Sequence, residues 1–77
     1  MQVQVMIFGQ LTDITGKSEL MLYDIPDTDT LIRTMQSLYP ALANTRFAVA
    51  LNKRVIRENT VLEGDNNIAL LPPFSGG

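Results

Sequence analysis

Apolar and polar residues alternate over the first eight positions, which predicts a β-strand. One face of this strand carries Val3, Val5 and Ile7, which we expect in the core. The other face carries Met6 and Phe8 at positions that would be polar if that side of the sheet were simply solvated. We therefore expect this second face either to be covered by a side loop or to bind a partner.

A single helical turn is predicted at 11–15, closed by Gly16, and 19–23 predict a second short strand. One long amphipathic helix follows a polar cap at 26–30. Its apolar stripe recurs at helical spacing and is expected in the core, and it comprises Leu31, Ile32, Met35, Leu38, Tyr39 and Leu42. Pro40 predicts that the helix ends near Tyr39.

The second half of the chain predicts a hairpin and a last strand. Apolar runs at 47–51 and 55–56 flank a turn at Asn52-Lys53-Arg54. Residues 67–71 are continuously apolar after Asn67, as is typical of a central strand. The order strand, strand, helix, strand pair, strand predicts an α+β fold of the β-grasp type. In this fold a four- or five-stranded mixed sheet wraps one helix, and the first and last strands are neighbours. We assign 1–71 to this domain and 72–77 to an extended tail.

Composition limits the chemistry of the chain. Its 77 residues (8.5 kDa, 45% hydrophobic) are enough for one small core. The sequence contains no His and no Cys, which excludes disulfides, cysteine-ligated zinc, a Cys nucleophile and a His base. A self-sufficient enzyme is the least favoured class, because no nucleophile–base pair or metal cluster can be assembled.

Charge and hydropathy bear on nucleic-acid binding and on the cellular location of the protein. The net charge of −2 argues against sequence-independent binding to nucleic acid. Neither a signal peptide nor an apolar run of membrane-spanning length is present, so we expect a cytoplasmic protein without a membrane partner.

The last six residues are the candidate reactive segment. Pro72 and Pro73 end the last strand and keep the chain stiff, and six residues reach about 20 Å. Gly76 and Gly77 lack a Cβ and fit a narrow channel. We predict that the terminal carboxylate of Gly77 is the reactive group and that another protein activates it by transferring AMP from ATP. The residues expected to thread into a partner are Pro72, Pro73, Phe74, Ser75 and Gly76.

The chain resembles the ubiquitin-like β-grasp sulfur carriers, and among them the small subunits of molybdopterin synthase. Three stretches carry this resemblance and together place nearly the whole chain in register, namely 5–16, 49–52 and 62–77. Pro72-Pro73 before Gly-Gly resembles the molybdopterin carriers more than the thiamine-pathway carriers. At Asn66-Asn67 the family commonly has a more acidic pair.

The resemblance implies a reaction cycle and its partners. A ubiquitin-activating-type adenylyltransferase would adenylate Gly77, and a sulfurtransferase would replace AMP with sulfur to give a thiocarboxylate. The tail would then enter the large synthase subunit and donate sulfur to a cyclic pyranopterin precursor. Two small and two large subunits would form the complex. No cofactor is expected to be bound stably, because ATP is consumed by the activating enzyme.

Surplus apolar residues indicate where these partners bind. We predict a partner-binding face formed by Met6, Phe8, Val55, Leu71 and Phe74, with Arg54 and Arg57 as candidates for its rim. Three other functions stay open at this point. They are a thiamine-pathway sulfur carrier, a protein modifier joined to lysine through Gly77, and a β-grasp interaction module that does no chemistry.

Overall fold

A mixed five-stranded sheet organises the molecule, and the computed structural model describes residues 2–63 and 66–73. The elements in chain order are β1 (Gln2–Ile7), α1 (Leu11–Thr15), β2 (Glu19–Tyr23), α2 (Thr28–Leu38), a 3-10 helix (Pro40–Asn44), β3 (Ala48–Leu51), β4 (Arg54–Ile56) and β5 (Asn67–Leu71). Within the described ranges, no helix is long and apolar enough to cross a membrane.

The strands lie in the order β2-β1-β5-β3-β4. β1 and β5 are parallel, with Val5 beside Ile68, and the other three neighbouring pairs are antiparallel. The continuous apolar run of β5 is explained by its central position, where both edges are paired. The predicted α+β class and the adjacency of the first and last strands are therefore confirmed.

Helix α2 begins at a side-chain cap and packs its apolar stripe on the sheet. The Oδ1 atom of Asp27 accepts a hydrogen bond from the Thr30 amide at 2.9 Å, which satisfies one of the free amides of the first turn. Leu31 and Met35 are fully buried. The helix ends before Pro40, as predicted, and the 3-10 helix that follows carries Leu42 into the same core.

The prediction that Leu38 belongs to the core was wrong, because its side chain is 54% exposed. Helical periodicity puts Leu38 on the same side as Leu31 but does not say how far the neighbouring elements extend beneath the helix. Leu38 is the last residue of α2, and the chain turns into the 3-10 helix two residues later. Leu42 instead provides the buried contact at this end.

The β3–β4 hairpin has a two-residue turn rather than the three-residue turn predicted. Asn52 and Lys53 have φ values of 49° and 73°, as both central residues of a type I′ turn require. Arg54 is paired with Leu51 and therefore belongs to β4. Asn52 adopts the turn conformation that was predicted for it. A two-residue turn is favoured here because the type I′ geometry matches the twist of the flanking strands.

Candidate functional site

The register of the strands assigns each side chain to one of two sheet faces. Residues paired directly across neighbouring strands point to the same side. Val5 is paired with Leu20 on one side and Ile68 on the other, and Leu70 is paired with Val49. These residues belong to the core with α2, so they define the helix-facing side of the sheet. The opposite side is called the open face below.

One row of side chains crosses four strands of the open face. Met6 is paired with Ala69, Ala69 with Ala50, and Ala50 with Val55. Val55 is 48% exposed, whereas Ala50, at the middle of the row, is only 5% exposed although it lies outside the core cluster. The two alanines form a low centre between larger apolar side chains, and Ala50 is largely covered by its neighbours.

A second apolar row lies beside the first, at the end of the sheet where the tail begins. Ala48 is paired with Leu71, the last residue of β5. The amide of Phe8 donates to the Leu70 carbonyl at 3.1 Å, which extends the β1–β5 pairing one residue beyond β1. By strand alternation Phe8 lies on the same side as Met6, and its ring is 44% exposed. We call both rows together the apolar half of the open face, which comprises Met6, Phe8, Ala48, Ala50, Val55, Ala69 and Leu71.

The other half of the open face is polar at its centre. Gln4 is paired with Asn67, and the Gln4 Nε2 atom donates to Glu19 Oε2 at 3.1 Å. The Asn67 amide donates to the Oδ1 atom of Asn52 at 3.0 Å. Tyr23, on the edge strand β2, is exposed here. Met21, which is paired with Gln4 and is 42% exposed, is the apolar exception on this half. The larger apolar surface lies at the end of the sheet from which the tail leaves.

The structure brings most of the predicted partner-binding residues together. Met6, Phe8 and Leu71 lie close together at the ends of β1 and β5. Val55 is connected to Met6 through Ala50 and Ala69, which are paired between them. Phe74 lies outside the described residues, as do Ser75, Gly76 and Gly77.

The idea that Arg54 is at the rim of the partner-binding face was wrong. Arg54 is paired with Leu51, so its side chain starts on the helix-facing side of β4. Arg57 is exposed and follows β4 directly.

Sequence reasoning missed the three alanines, Ala48, Ala50 and Ala69, as part of this surface. An alanine adds little to an apolar pattern, and its place on one face follows only from strand register. The available signal was alternation in β3 and β5, where each alanine sits between residues of the opposite face.

The base of the tail is described as far as Pro73. Pro72 is half-buried and Pro73 is exposed. Pro72 lies against the backbone of Gly9, where an added Cβ would be 2.5 Å from Pro72 Cγ. Pro73 lines a groove with Ile32 and Phe47 between α2 and β3. The first residues of the predicted tail are thus in contact with the folded domain.

Comparison with known proteins gives this arrangement a family context. The model of the ThiS family matches residues 5–77. The molybdopterin synthase sulfur carrier subunit of Dictyostelium discoideum is 30% identical over 84 residues, covering 99% of this chain and 96% of that protein.

Chains of two solved structures share the fold of this chain over nearly all of its length. One is the complex of subunits 1 and 2 of molybdopterin-converting factor from Helicobacter pylori 26695, with a TM-score of 0.74, 29% identity and full coverage of both chains. The other is small archaeal modifier protein 1 from Methanosarcina acetivorans, with a TM-score of 0.81 and 25% identity, covering 99% of this chain and 96% of that one.

Proposed function

The chain belongs to the ThiS family, and we propose that it acts as the sulfur carrier subunit of a molybdopterin synthase. The observation that carries the proposal is the position of the apolar half of the open face. This surface includes Leu71 and Phe8. It therefore extends to the end of the sheet at which β5 is followed by Pro72 and Pro73. A partner that binds there is adjacent to the base of the tail.

The shape and polarity of this surface suit a protein partner. Interface cores are apolar and closely packed, with polar groups at the rim. Here Phe8 and Val55 project beside the low Ala50–Ala69 centre, and Gln4 and Glu19 lie at the polar boundary. The related complex of molybdopterin-converting factor subunits 1 and 2 supports a large synthase subunit as the partner.

The proposed chemistry takes place at the carboxyl group of Gly77. A carboxylate oxygen attacks the α-phosphorus of ATP on an activating enzyme, and pyrophosphate leaves. A sulfur nucleophile then adds to the carbonyl carbon, and AMP leaves with that oxygen. With hydrosulfide as the donor, loss of a proton gives the thiocarboxylate without any redox change. The carrier itself holds neither ATP nor another cofactor after this step.

Sulfur transfer then occurs in the large subunit. The thiocarboxylate sulfur attacks a carbon of the cyclic pyranopterin precursor, and the carbon–oxygen bond at that carbon breaks, with the oxygen leaving protonated. Water then cleaves the acyl–sulfur bond, which leaves the sulfur on the precursor and regenerates the Gly77 carboxylate. Two such transfers build the dithiolene that later binds molybdenum. The large subunit supplies the acid, base and substrate-binding groups, which agrees with a carrier sequence that contains no His and no Cys.

Two terminal variants test this proposal in a reconstituted system of carrier, activating enzyme, ATP, sulfide, large subunit and precursor. Deletion of Gly77, or addition of one residue after it, is expected to abolish molybdopterin formation while leaving the melting temperature unchanged. Molybdopterin formation by either variant at the rate of the unmodified chain would overturn the proposed role of Gly77.

The similarity to small archaeal modifier protein 1 favours one second candidate, a protein modifier. In that case the activated Gly77 carbonyl would form an isopeptide bond with a lysine amine, and AMP would leave. Conjugates of higher mass that disappear when Gly77 is deleted would favour the modifier. Their absence, together with molybdopterin formation, would favour the sulfur carrier.

A further inference from the structure

Gly9 and Pro72 meet because β1 and β5 are parallel. Parallel strands have their C-terminal ends on the same side of the sheet. Gly9 lies two residues after the end of β1, and Pro72 directly follows β5. A Cβ built on Gly9 would be 2.5 Å from Pro72 Cγ, 3.4 Å from its Cδ and 3.8 Å from its Cβ. The first of these distances is shorter than van der Waals contact allows, so only glycine fits against the ring as it stands.

The Gly9 side of this contact is firmly held. Its carbonyl accepts hydrogen bonds from the Thr12 amide at 3.1 Å and from Thr12 Oγ1 at 2.8 Å. The Phe8 amide is bonded to the Leu70 carbonyl, and Leu11 is fully buried. The turn between β1 and α1 is therefore tied to the end of β5 on one side and to the core on the other.

The Pro72 side is stiff as well. A proline ring fixes its own φ near −65°, so φ is restricted at both Pro72 and Pro73. Pro73 also lines the groove formed with Ile32 and Phe47. Two restrained residues held against a restrained turn limit the directions in which the following chain can leave the domain. Restricting a segment before binding lowers the entropy that it loses on binding.

We propose that Gly9 is a positioning residue of the sulfur carrier: by admitting the Pro72 ring against its Cα, it sets the direction in which the tail leaves for its partner's channel. This inference rests on the proposed function. Gly9 acts through Pro72 and touches no reacting atom.

The chain offers a matched control for Gly9. Both Gly9 and Gly16 have positive φ, 60° and 74°, so an alanine is strained at either position. A Cβ on Gly16 would meet nothing within 4 Å, whereas a Cβ on Gly9 would collide with Pro72. Gly16→Ala therefore reproduces the backbone strain without the collision, and Pro72→Ala removes the ring atom that causes the collision.

The experiment measures thiocarboxylate formation by an activating enzyme with ATP and sulfide, below the melting temperature of every variant. For Gly9→Ala we expect KM for the carrier to rise about tenfold with kcat little changed, since a tail that is less restricted before binding costs binding free energy and leaves the chemical step as it was. Gly16→Ala should keep both constants. In the Pro72→Ala background, Gly9→Ala should no longer change KM. If Gly9→Ala alone does not fold, the double variant should fold and match Pro72→Ala in KM, whereas a double variant that also fails to fold would assign the defect to backbone strain.

Three results would decide against the inference. The first is a KM for Gly9→Ala equal to that of Gly16→Ala. The second is an effect of Gly9→Ala that persists in the Pro72→Ala background, which would assign it to backbone strain. Nuclear magnetic resonance provides a readout that does not need the enzyme: Gly9→Ala, unlike Gly16→Ala, should shift the amide signals of residues 74–77. Unshifted signals would also overturn the inference. Failure of the unmodified chain to form a thiocarboxylate would instead reject the proposed function.

Discussion

The Oδ1 atom of Asn59 accepts a hydrogen bond from the backbone amide of Asp29 at 2.9 Å, although the two residues are 30 positions apart. The same oxygen accepts from Thr28 Oγ1 at 3.3 Å, and the Thr60 amide donates to Thr28 Oγ1 at 2.9 Å. The segment after β4 is thereby fastened to the first turn of α2. These hydrogen bonds connect the helix to the β3–β4 side of the sheet.

Replacing Asn59 with alanine should destabilise the domain. The change leaves the Asp29 amide without its side-chain acceptor and removes the bond from Thr28, so we expect a loss of about 1 to 2 kcal/mol in the free energy of unfolding. Urea denaturation followed by circular dichroism measures it. Gln10→Ala is the control, because the exposed Gln10 side chain makes no capping bond to α1, and it should change stability by less than about 0.5 kcal/mol. Equal effects of the two substitutions would contradict the role of Asn59.

Asp27 predicts a pH dependence with a definite sign. Hydrogen bonds from Thr30 hold the pKa of Asp27 below its ordinary value of 3.8, with smaller contributions from Asn59 and Arg33. A carboxyl group whose pKa is lower in the folded state stabilises the fold fully above the unfolded-state pKa. That contribution is lost as the pH falls through the folded-state pKa.

The variant Asp27→Asn isolates this effect, because an asparagine oxygen caps a helix but does not titrate. We expect the urea midpoint of the unmodified chain to fall more steeply between about pH 5 and pH 2 than that of Asp27→Asn. Parallel pH profiles for the two proteins would show that Asp27 does not contribute to acid unfolding.

Phe8 should be important for binding the large synthase subunit. Phe8→Asp puts a charge into the apolar half of the open face, and we expect the dissociation constant to rise at least about tenfold, equivalent to about 1.4 kcal/mol. Isothermal titration calorimetry measures this change. Tyr23→Asp is the matched control, since Tyr23 is an exposed aromatic residue on the polar half of the same sheet. Equal affinities of the two variants would contradict a binding surface confined to the apolar half.

Substitutions of two exposed valines test how far the proposed binding surface extends. Val55→Asp alters the far end of the row that starts at Met6, whereas Val61→Asp alters a more exposed valine outside this row. We expect Val55→Asp alone to weaken binding, by about threefold to tenfold because Val55 lies at the edge of the patch. Surface plasmon resonance with immobilised large subunit measures the dissociation constants of both variants. Unchanged affinity of Val55→Asp would restrict the interface to β1 and β5.

The alternation in β1 and the proline at position 40 were sufficient to predict the strand and the end of α2, because both act locally. Burial of Leu38 could not be judged in this way, since it depends on which elements lie beneath the last turn of the helix. Likewise, Arg54 and Val55 are neighbours in sequence but lie on opposite faces of the sheet. Which of the two faces the helix depends on the length of the turn before β4, and the sequence did not predict that length.

In the candidate site too, the residues that depend on local pattern were predicted and those that depend on long-range pairing were not. Met6 and Phe8 were apparent from the sequence because apolar residues stood where polar ones were expected. Ala50 and Ala69 became part of the surface only through pairing between strands that are distant in sequence. The contact between Gly9 and Pro72 likewise depends on the parallel pairing of the first and last strands.

The most direct test of the carrier role is the intact mass of the chain after incubation with an activating enzyme, ATP and sulfide. We predict a mass increase equal to the replacement of one oxygen by sulfur. Fragmentation should place the change on Gly77, and omission of ATP should abolish it. An unchanged mass in the complete mixture, with the same enzyme active on a known carrier, would contradict the account.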